Sequence, residues 1–572
     1  TIDMGDVRDL NLVDFNLDGR LDIAWVDAAG IHLHANDASG IADVTRAAGL
    51  ATISGIRRCA FADIDNDGDL DLYLNRTGRD ALYRNDDGVF SAIRYTPFPN
   101  RPDGIPVDAQ FSDIDHDGDL DLLLAEGDDF RFYRNVDAGV FEEATESTGI
   151  SVTSPANSRR TTVPGPKKQE QSNAVVNYHG GKTIQDEFTD ILSVESIKDM
   201  LNFGQRMAIA DFDLDGALDV LLTVSESSTR LFRNVRQGRF IDWTDRMGIQ
   251  NMHGNQLVLP GDFNNDGAPD LLLFGETPIL LFNQKGSFFD HRNTPAALSD
   301  ALSSIVVSDG AVLDFDNDGF TDLVVSGTGG IERSGLWLIR NLGENRFEDA
   351  TVLMPQIASS GILDAGDLDG DGDIDLVWID SEVRVLRNDG GNINRWLKVE
   401  LNAALRGSGK NNFYGVGATI ELNTETHYQS RLVTSPVTHL GLGSYDQADV
   451  MRVTWPNGVP QNRITPETSA RIVEEQRLKG SCPSLYTWDG EKYVFVTHLM
   501  TRSAIGALSE TGTSAYPDAA ADYVKIRSDQ LKSRNGKFTL RVVEELWDAV
   551  YMDTAQLLVV DHPESTEILV NE

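Results

Sequence analysis

One nine-residue pattern recurs seven times and limits what this chain can fold into. The pattern reads Asp-x-(Asp or Asn)-x-Asp-Gly-x-x-Asp, and it begins at Asp14, Asp63, Asp113, Asp211, Asp262, Asp314 and Asp367. The starts are 49, 50, 98, 51, 52 and 53 residues apart. A regular spacing of about fifty residues is typical of β-propellers and related repeat arrays.

Each copy of the pattern is flanked by segments that alternate like β-strands. A short apolar segment precedes it, as in Cys59-Ala60-Phe61-Ala62, and an alternating segment follows, as at 70–74. A third segment often ends in Arg-Asn, as at 84–85, and a Gly-x-Phe element leads to a fourth. Four short strands make one propeller blade, and blades pack radially because none can bury both faces alone. We therefore predict an all-β fold, with a seven-bladed β-propeller over residues 1–393.

The pattern spaces its aspartates as ligands for a hard cation. Calcium takes six to eight oxygen ligands, and a tight loop can supply side chains from positions 1, 3, 5 and 9 and a backbone carbonyl from position 7. The glycine at position 6 permits the sharp bend and is expected to have a positive φ. Without a cation, carboxylates this close would repel one another. We predict up to seven calcium ions with a structural role, one in each loop.

The candidate metal ligands form seven groups, and three groups include an acidic position 7. They are Asp14, Asn16, Asp18 and Asp22; Asp63, Asp65, Asp67, Asp69 and Asp71; Asp113, Asp115, Asp117, Asp119 and Asp121; Asp211, Asp213, Asp215 and Asp219; Asp262, Asn264, Asp266 and Asp270; Asp314, Asp316, Asp318 and Asp322; and Asp367, Asp369, Asp371, Asp373 and Asp375. Asn16 and Asn264 lower the charge of the first and fifth loops, which predicts weaker binding there.

Two other interpretations of the loops are less favoured. An EF-hand needs a glutamate at position 12 and flanking helices, but that position holds Trp25, Leu74, Leu124, Leu222, Leu273, Val325 or Trp378. Solvated acidic turns without metal would not require the glycine, which all seven copies keep.

Composition narrows the possible partners. With 90 acidic and 49 basic residues the formal net charge is −41, which opposes binding to nucleic acid and anionic lipid. No apolar run is long enough to predict a transmembrane segment. Zinc-protease, serine-hydrolase and phosphate-loop motifs are missing from the sequence, and no catalytic residue can be assigned. The sequence leaves the question of an enzyme open and favours a non-enzyme.

Three further segments complete the predicted organisation. Residues 151–200 explain the double step between the third and fourth motifs, either as a projecting insertion, which we favour, or as a decayed blade. Residues 394–478 read as a small β-domain in which Trp396 and Trp455 are expected to be core residues. We expect residues 479–572 to form a further β-domain that this sequence leaves incomplete.

The motifs resemble two known families. The aspartate loops look like those of FG-GAP or VCBS repeat proteins, a group that includes the integrin α-subunit propeller. The elements at 394–399, 415–420, 440–443 and 453–458 resemble the ASPIC-and-UnbV module of bacterial secreted proteins and cartilage acidic proteins. Residues 410–414, Lys-Asn-Asn-Phe-Tyr, depart from the usual Ser-Asn-Arg of that module. The resemblance implies a calcium-binding propeller followed by a small β-domain.

These observations together predict an extracytoplasmic binding scaffold. Millimolar calcium outside the cytosol suits many weak sites. We expect a protein–protein interaction or adhesion role with a protein partner that the sequence does not identify. A carbohydrate-binding or carbohydrate-active protein, and an accessory subunit of an envelope or surface assembly, are the alternatives.

Overall fold

A computed structural model divides the chain into two compact units, Thr1–Gln476 and Arg477–Glu572. It describes residues 7–101, 108–126, 129–150, 207–223, 229–253, 257–275, 277–290, 294–302, 305–329, 333–355, 360–380, 382–404, 411–425, 427–477, 484–499, 524–534, 536–543 and 555–563. The predicted insertion at 151–200 lies outside these ranges. Among the residues within them, no helix has the length and apolarity needed to cross a membrane.

The first unit begins with seven antiparallel sheets, each formed by strands that follow one another in sequence. Sheet 1 contains β1 (Asp9–Val13), β2 (Asp22–Val26), β3 (Ile31–Asp37) and β4 (Gly40–Asp43). Sheet 2 contains β5 (Ile56–Ala62), β6 (Asp71–Arg76), β8 (Ala81–Asp86) and β9 (Val89–Ala92), while β7 (Gly78–Arg79) pairs with β10 (Asn100–Arg101). Sheet 3 contains β11 (Asp108–Ser112), β12 (Asp121–Glu126), β13 (Asp129–Asp137) and β14 (Val140–Glu143).

The remaining four sheets repeat the same order. Sheet 4 contains β15 (Met207–Ala210), β16 (Asp219–Leu222), β17 (Arg230–Asn234) and β18 (Phe240–Asp242). Sheet 5 contains β19 (Leu257–Gly261), β20 (Asp270–Phe274), β21 (Ile279–Asn283) and β22 (Phe289–Asp290). Sheet 6 contains β23 (Ile305–Leu313), β24 (Asp322–Gly329), β25 (Arg333–Asn341) and β26 (Phe347–Asp349), and sheet 7 contains β27 (Ile362–Gly366), β28 (Asp375–Ile379) and β29 (Val383–Leu386).

Short helical turns connect some of these sheets. They are α1 (Thr145–Thr148), α2 (Thr244–Met247), α3 (Ala296–Leu302) and the 3-10 turns Thr351–Leu353 and Gly391–Ile393. The prediction of an all-β chain built from short antiparallel strands is therefore confirmed.

Apolar cores lie between neighbouring sheets, which explains the sequence of the second strands. Strands β2, β20 and β28 are buried along their whole length because both faces are covered. One core joins Ile23 and Trp25 of sheet 1 to Val377 and Ile379 of sheet 7. Sheet 7 therefore packs against sheet 1, and the seven sheets follow one another around a ring.

Carboxylates on the first strands link several neighbouring sheets inside the ring. Asp9 accepts a hydrogen bond of 2.7 Å from the backbone N–H of Cys59, and Asp309 accepts one of 3.0 Å from that of Leu363. Asp364 closes the ring, since it accepts 2.8 Å from the N–H of Leu12. These links hold first strands that have no neighbour in their own sheet on that side.

The rest of the first unit is a second all-β part, residues 395–475, here called the cap region. It contains β30 (Arg395–Asn402), β31 (Thr419–Asn423), β32 (Tyr428–Leu432), β33 (Val437–Gly443), β34 (Val450–Thr454), β35 (Pro460–Ile464) and β36 (Ala470–Glu475). These form two sheets, in the orders β33-β30-β36 and β32-β31-β34-β35, around one apolar core. Trp455 lies in that core as predicted, whereas Trp396 is half-buried and lies against Gly372 of the seventh loop.

The second unit is described for part of its length. Three strands form a sheet in the order β38-β37-β39, namely β37 (Ser484–Trp488), β38 (Tyr493–His498) and β39 (Leu540–Val543). The predicted division into 1–393, 394–478 and 479–572 stays a prediction.

Candidate metal sites in the loop ring

The seven aspartate motifs form the loops between the first and second strands of the seven sheets. In every loop, Oδ2 of the position 1 aspartate accepts a hydrogen bond from the backbone N–H of the position 6 glycine, at 2.7–3.1 Å. The position 5 aspartate accepts one from the N–H of position 7, at 2.9–3.0 Å. These short-range bonds fold the loop locally.

The position 9 aspartate connects each loop to the third strand. Its Oδ2 accepts the N–H of position 2 at 2.9–3.3 Å. Its Oδ1 accepts the N–H of the asparagine near the end of the third strand at 2.6–2.9 Å. Loop geometry alone thus gives the aspartates at positions 1, 5 and 9 a structural purpose.

Position 3 differs in the second, third and sixth loops, where part of its carboxylate lacks such a partner. In the fourth and seventh loops, Oδ1 of Asp213 and Asp369 accepts the N–H of position 5 at 3.3 and 3.2 Å. Oδ1 of Asp65, Asp115 and Asp316 is buried and accepts no hydrogen bond within the described part of the chain. A buried carboxylate oxygen without a partner is costly. A cation at the centre of the loop would satisfy it, so these atoms fit a metal site better than a metal-free turn.

Five loops bring three carboxylates together closely enough to share an ion. Their ligand oxygens lie within 4.8 Å of one another in the sets Asp63/Asp65/Asp71, Asp113/Asp115/Asp117, Asp211/Asp213/Asp219, Asp314/Asp316/Asp322 and Asp367/Asp369/Asp371. The first and fifth loops place the amide oxygens of Asn16 and Asn264 at position 3 instead, where each accepts the N–H of position 5 at 3.0 Å. An oxygen-only donor set is the kind that calcium prefers.

Burial and crowding make these carboxylates hard to ionise. Burial raises the pKa of Asp63 to about 7 and that of Asp71 to about 8, and neighbouring loop carboxylates add to both shifts. Burial likewise raises the pKa of Asp219 and Asp270 to about 8. A bound divalent cation would reverse this effect, because it favours the charged form of each ligand.

The position 6 glycine behaves as the sequence predicts. Its φ is positive in all seven loops, at 86°, 97°, 87°, 85°, 87°, 88° and 97° in chain order. The acidic position 7 side chains turn toward neighbouring groups. Asp119 accepts a hydrogen bond of 2.8 Å from the Asn66 amide of the preceding loop, and Asp69 accepts one from the N–H of Asp87. Asp373 is approached by the Asn317 amide at 3.4 Å.

The cap region covers this ring of loops. Tyr414 donates its hydroxyl to the carbonyl of Gly68 in the second loop at 2.5 Å, and Phe413 donates its N–H to Asn66 at 2.8 Å. In the third loop, His116 lies 3.0 Å from the carbonyl of Pro456. Residues 410–414, which depart from the usual module sequence, therefore include part of this contact.

The sixth loop makes several polar contacts with the cap region, and the seventh makes an ion pair. The N–H of Gly441 donates to Asp314 at 3.1 Å, and that of Gly443 donates to the carbonyl of Asn317 at 2.7 Å. The Lys398 ammonium pairs with Asp367, the position 1 aspartate of the seventh loop. The cap region thus contacts two candidate ligands directly.

The first strands of the seven sheets and the cap region enclose a cavity of about 1460 Å³. Asp9, Asp309 and Asp364 lie on its wall, and Lys398 and His439 lie at the end formed by the cap region. The cap region therefore forms the wall of this cavity on the side of the loops.

Several contributing residues were not predicted from the sequence. The asparagines of the third strands, the cap residues Lys398 and Tyr414, and the arginines described below all act on the loops. The recurring Arg-Asn pair was a signal for the strand residues. For the cap residues, the only signal was a glycine kept at position 6, which leaves room for a close neighbour.

The segments that contain the aspartate loops are similar to a known family of repeats. The FG-GAP-like repeat matches residues 14–74, 66–124, 211–273 and 314–378. The chain therefore carries FG-GAP-like repeats, and the resemblance predicted from the sequence is confirmed.

The chain is also similar to curated proteins. The chain is 26% identical over 315 residues to cartilage acidic protein 1 of Mus musculus, covering 50% of this chain and 46% of that protein. It is 26% identical over 286 residues to the Homo sapiens protein of the same name, covering 45% and 41%. The chain thus matches less than half the length of these relatives.

One solved structure with a related arrangement is an Agrocybe aegerita lectin described as recognising non-reducing terminal N-acetylglucosamine. The identity is 16% and the TM-score 0.39, over 68% of this chain and 88% of the lectin. This likeness is too weak to support an argument about function.

Proposed function

We propose that the chain is an extracytoplasmic scaffold whose seven sheets are the blades of a calcium-stabilised β-propeller. The observation that carries the proposal is the set of buried position 3 oxygens without partners, at the centre of loops with up to three converging carboxylates. Calcium would satisfy these oxygens and remove the mutual repulsion of the ligands. The ions would hold the loops, and the loops support the cap region.

The site residues of this proposal are the seven groups given by the sequence. Positions 1, 3, 5 and 9 would supply side-chain oxygens, and position 7 its backbone carbonyl, because its side chain faces elsewhere in the second, third and seventh loops. Calcium would supply charge compensation and no reaction chemistry. This chain's residues orient the ligands through the backbone hydrogen bonds described above.

The location and the partner follow from the same features. Millimolar calcium is found outside the cytosol, where several weak sites would be filled. The cap region covers the loop side of the ring, so we place the surface for a protein partner on the opposite side or on the outer edges of the sheets. The strongly negative charge disfavours nucleic acid as that partner.

Native co-purification, in parallel with calcium and with a chelator, tests the proposal. A stoichiometric protein held in calcium and lost in chelator is the expected result. If neither buffer retains a protein and the purified chain instead binds a glycan array, the carbohydrate-binding alternative gains support. A chain that binds no calcium in equilibrium dialysis contradicts the proposal as a whole.

A further inference from the structure

The third strand of each sheet ends near its own loop, and the residue before its asparagine varies with position 3 of that loop. Five loops have aspartate at position 3, and there the residue is Arg84, Arg134, Arg233, Arg340 or Arg387. Two loops have Asn16 or Asn264 at position 3, and there the residue is Ala35 or Phe282. In each of the seven repeats, this arginine and the position 3 aspartate are therefore either both present or both absent.

The arginine contacts the position 3 carboxylate in every one of the five loops. Nε of Arg84 lies 2.9 Å from Oδ2 of Asp65, and Nε of Arg134 lies 2.8 Å from Oδ2 of Asp115. Nη1 of Arg387 lies 2.7 Å from Oδ2 of Asp369. Arg233 pairs with Asp213, and Arg340 pairs with Asp316.

The two oxygens of the position 3 carboxylate have different surroundings. In the second loop, Oδ2 of Asp65 faces the guanidinium, while Oδ1 is buried without a partner. One oxygen of the same carboxylate lies within 4.8 Å of oxygens of Asp63 and Asp71. The Asp65 side chain is only 7% exposed. The third and sixth loops have the same arrangement at Asp115 and Asp316.

The loops with asparagine have a neutral ligand at position 3 and no arginine for it to pair with at the end of the third strand. The Asn16 and Asn264 oxygens accept a hydrogen bond within the loop, at 3.0 Å from the N–H of Asp18 and Asp266. Ala35 and Phe282 pack instead against the apolar cores beside their sheets. Four ligand carboxylates with one arginine have the same formal charge as three carboxylates with one asparagine.

From this we infer that the third-strand arginine is a positioning residue for the metal site. It holds one oxygen of the position 3 aspartate, turns the other toward the cation, and offsets the extra negative charge. The inference rests on the proposed calcium function. It also changes one expectation from the sequence, because the asparagine loops then match the aspartate loops in charge and need not bind more weakly.

A rescue experiment separates this role from a structural one. Asp65→Asn alone leaves Arg84 beside a neutral ligand, so calcium affinity at the second loop should fall about tenfold by Coulomb repulsion at short range. Adding Arg84→Ala converts the loop to the arrangement of the first loop, with Asn16 and Ala35, and should restore affinity. A purely structural arginine would make the double variant worse than the single one.

Native mass spectrometry at buffered free calcium provides the readout. At the lowest calcium concentration that fills the wild-type chain, Asp65→Asn should carry one ion fewer and Asp65→Asn/Arg84→Ala should regain it. The pair Asp115→Asn and Asp115→Asn/Arg134→Ala repeats the test in the third loop, in case one loop does not tolerate substitution.

Two results would overturn the inference, and they can be told apart. If the wild-type chain takes up no calcium at any concentration, the proposed function fails and the inference fails with it. If the wild-type chain fills but both double variants keep the deficit of the single variants, calcium binding stands and the role of the arginine is refuted.

Discussion

The side-chain amide of Asn36 in sheet 1 donates a hydrogen bond of 2.7 Å to the backbone carbonyl of Leu368 in the seventh loop. Each of the other six third-strand asparagines makes the same bond to the preceding loop, at 2.7–2.9 Å. Asn36 and Leu368 are far apart in sequence, but the bond between them is equivalent to the six bonds that join consecutive sheets. Asn36 therefore joins the two ends of the ring.

Replacing Asn36 by alanine should destabilise the first unit. The substitution leaves the buried carbonyl of Leu368 without its donor, at about 1–3 kcal/mol, and the partly buried carbonyl of Leu21 without one at a smaller cost. Urea unfolding followed by tryptophan fluorescence measures the loss. The exposed Asn462→Ala is the control and should change stability by less than about 0.5 kcal/mol. Equal stability of the two variants would show that the Asn36 bond does not hold the ring.

Alanine substitutions at two position 6 glycines test the contact between the cap region and the loops. A Cβ at Gly372 would lie 1.9 Å from Nε1 of Trp396, whereas one at Gly216 meets nothing within 4 Å. Both glycines hold position 6, with φ of 97° and 85°. Gly216→Ala should lose about 1–2 kcal/mol from the left-handed backbone alone, and Gly372→Ala should lose more because Trp396 must move.

Two measurements distinguish these glycine variants. The near-ultraviolet circular dichroism of Trp396 should change in Gly372→Ala and stay as in the wild type in Gly216→Ala. If both variants lose the same stability with unchanged spectra, the seventh loop does not support the cap region through Trp396.

The sequence predicted the parts of this molecule that repeat locally. The spacing of Asp63, Asp67 and Asp71 predicted the loop, since most of their hydrogen bonds reach backbone groups within the loop itself. The Arg-Asn pairs were visible as a pattern in the sequence. Their purpose could not be predicted, because their partners lie in another strand or another sheet. The cap region gave no sign that it covers the loops, because Lys398 and Tyr414 meet residues that the sequence places far away.

Removing calcium should lower the melting temperature of the first unit. An ion that binds only the folded chain stabilises it by about 2.7 kcal/mol when present at 100 times its Kd. Differential scanning calorimetry in calcium and in excess chelator measures the shift. Magnesium at the same concentration is the control and should restore less, because it demands a smaller octahedral site. An unchanged melt in chelator would show that the loops are stable as metal-free turns.

The cavity wall should make stability fall as pH rises from about 4 to about 7. Burial raises the pKa of Asp309 to about 7, with Asp364 adding to the shift, and the Arg58 charge and the N–H groups of Leu363 and Gly310 opposing it. The folded chain therefore keeps this proton up to about pH 7, whereas the unfolded chain releases it near its usual value of 3.8. Between these values the folded state binds more protons, so its stability decreases with increasing pH.

Asp309→Asn removes that dependence and keeps an oxygen that can accept the N–H of Leu363. Because Asp309 is only half-buried, we expect a gain of about 1–2 kcal/mol over the wild type at pH 8 and none at pH 4. Asp364→Asn should show a smaller gain that is complete about one pH unit lower, since the pKa of Asp364 is raised only to about 6. Urea unfolding from pH 4 to 8 measures both differences. If the difference between Asp309→Asn and the wild type is the same at every pH, Asp309 does not titrate in this range in the folded chain.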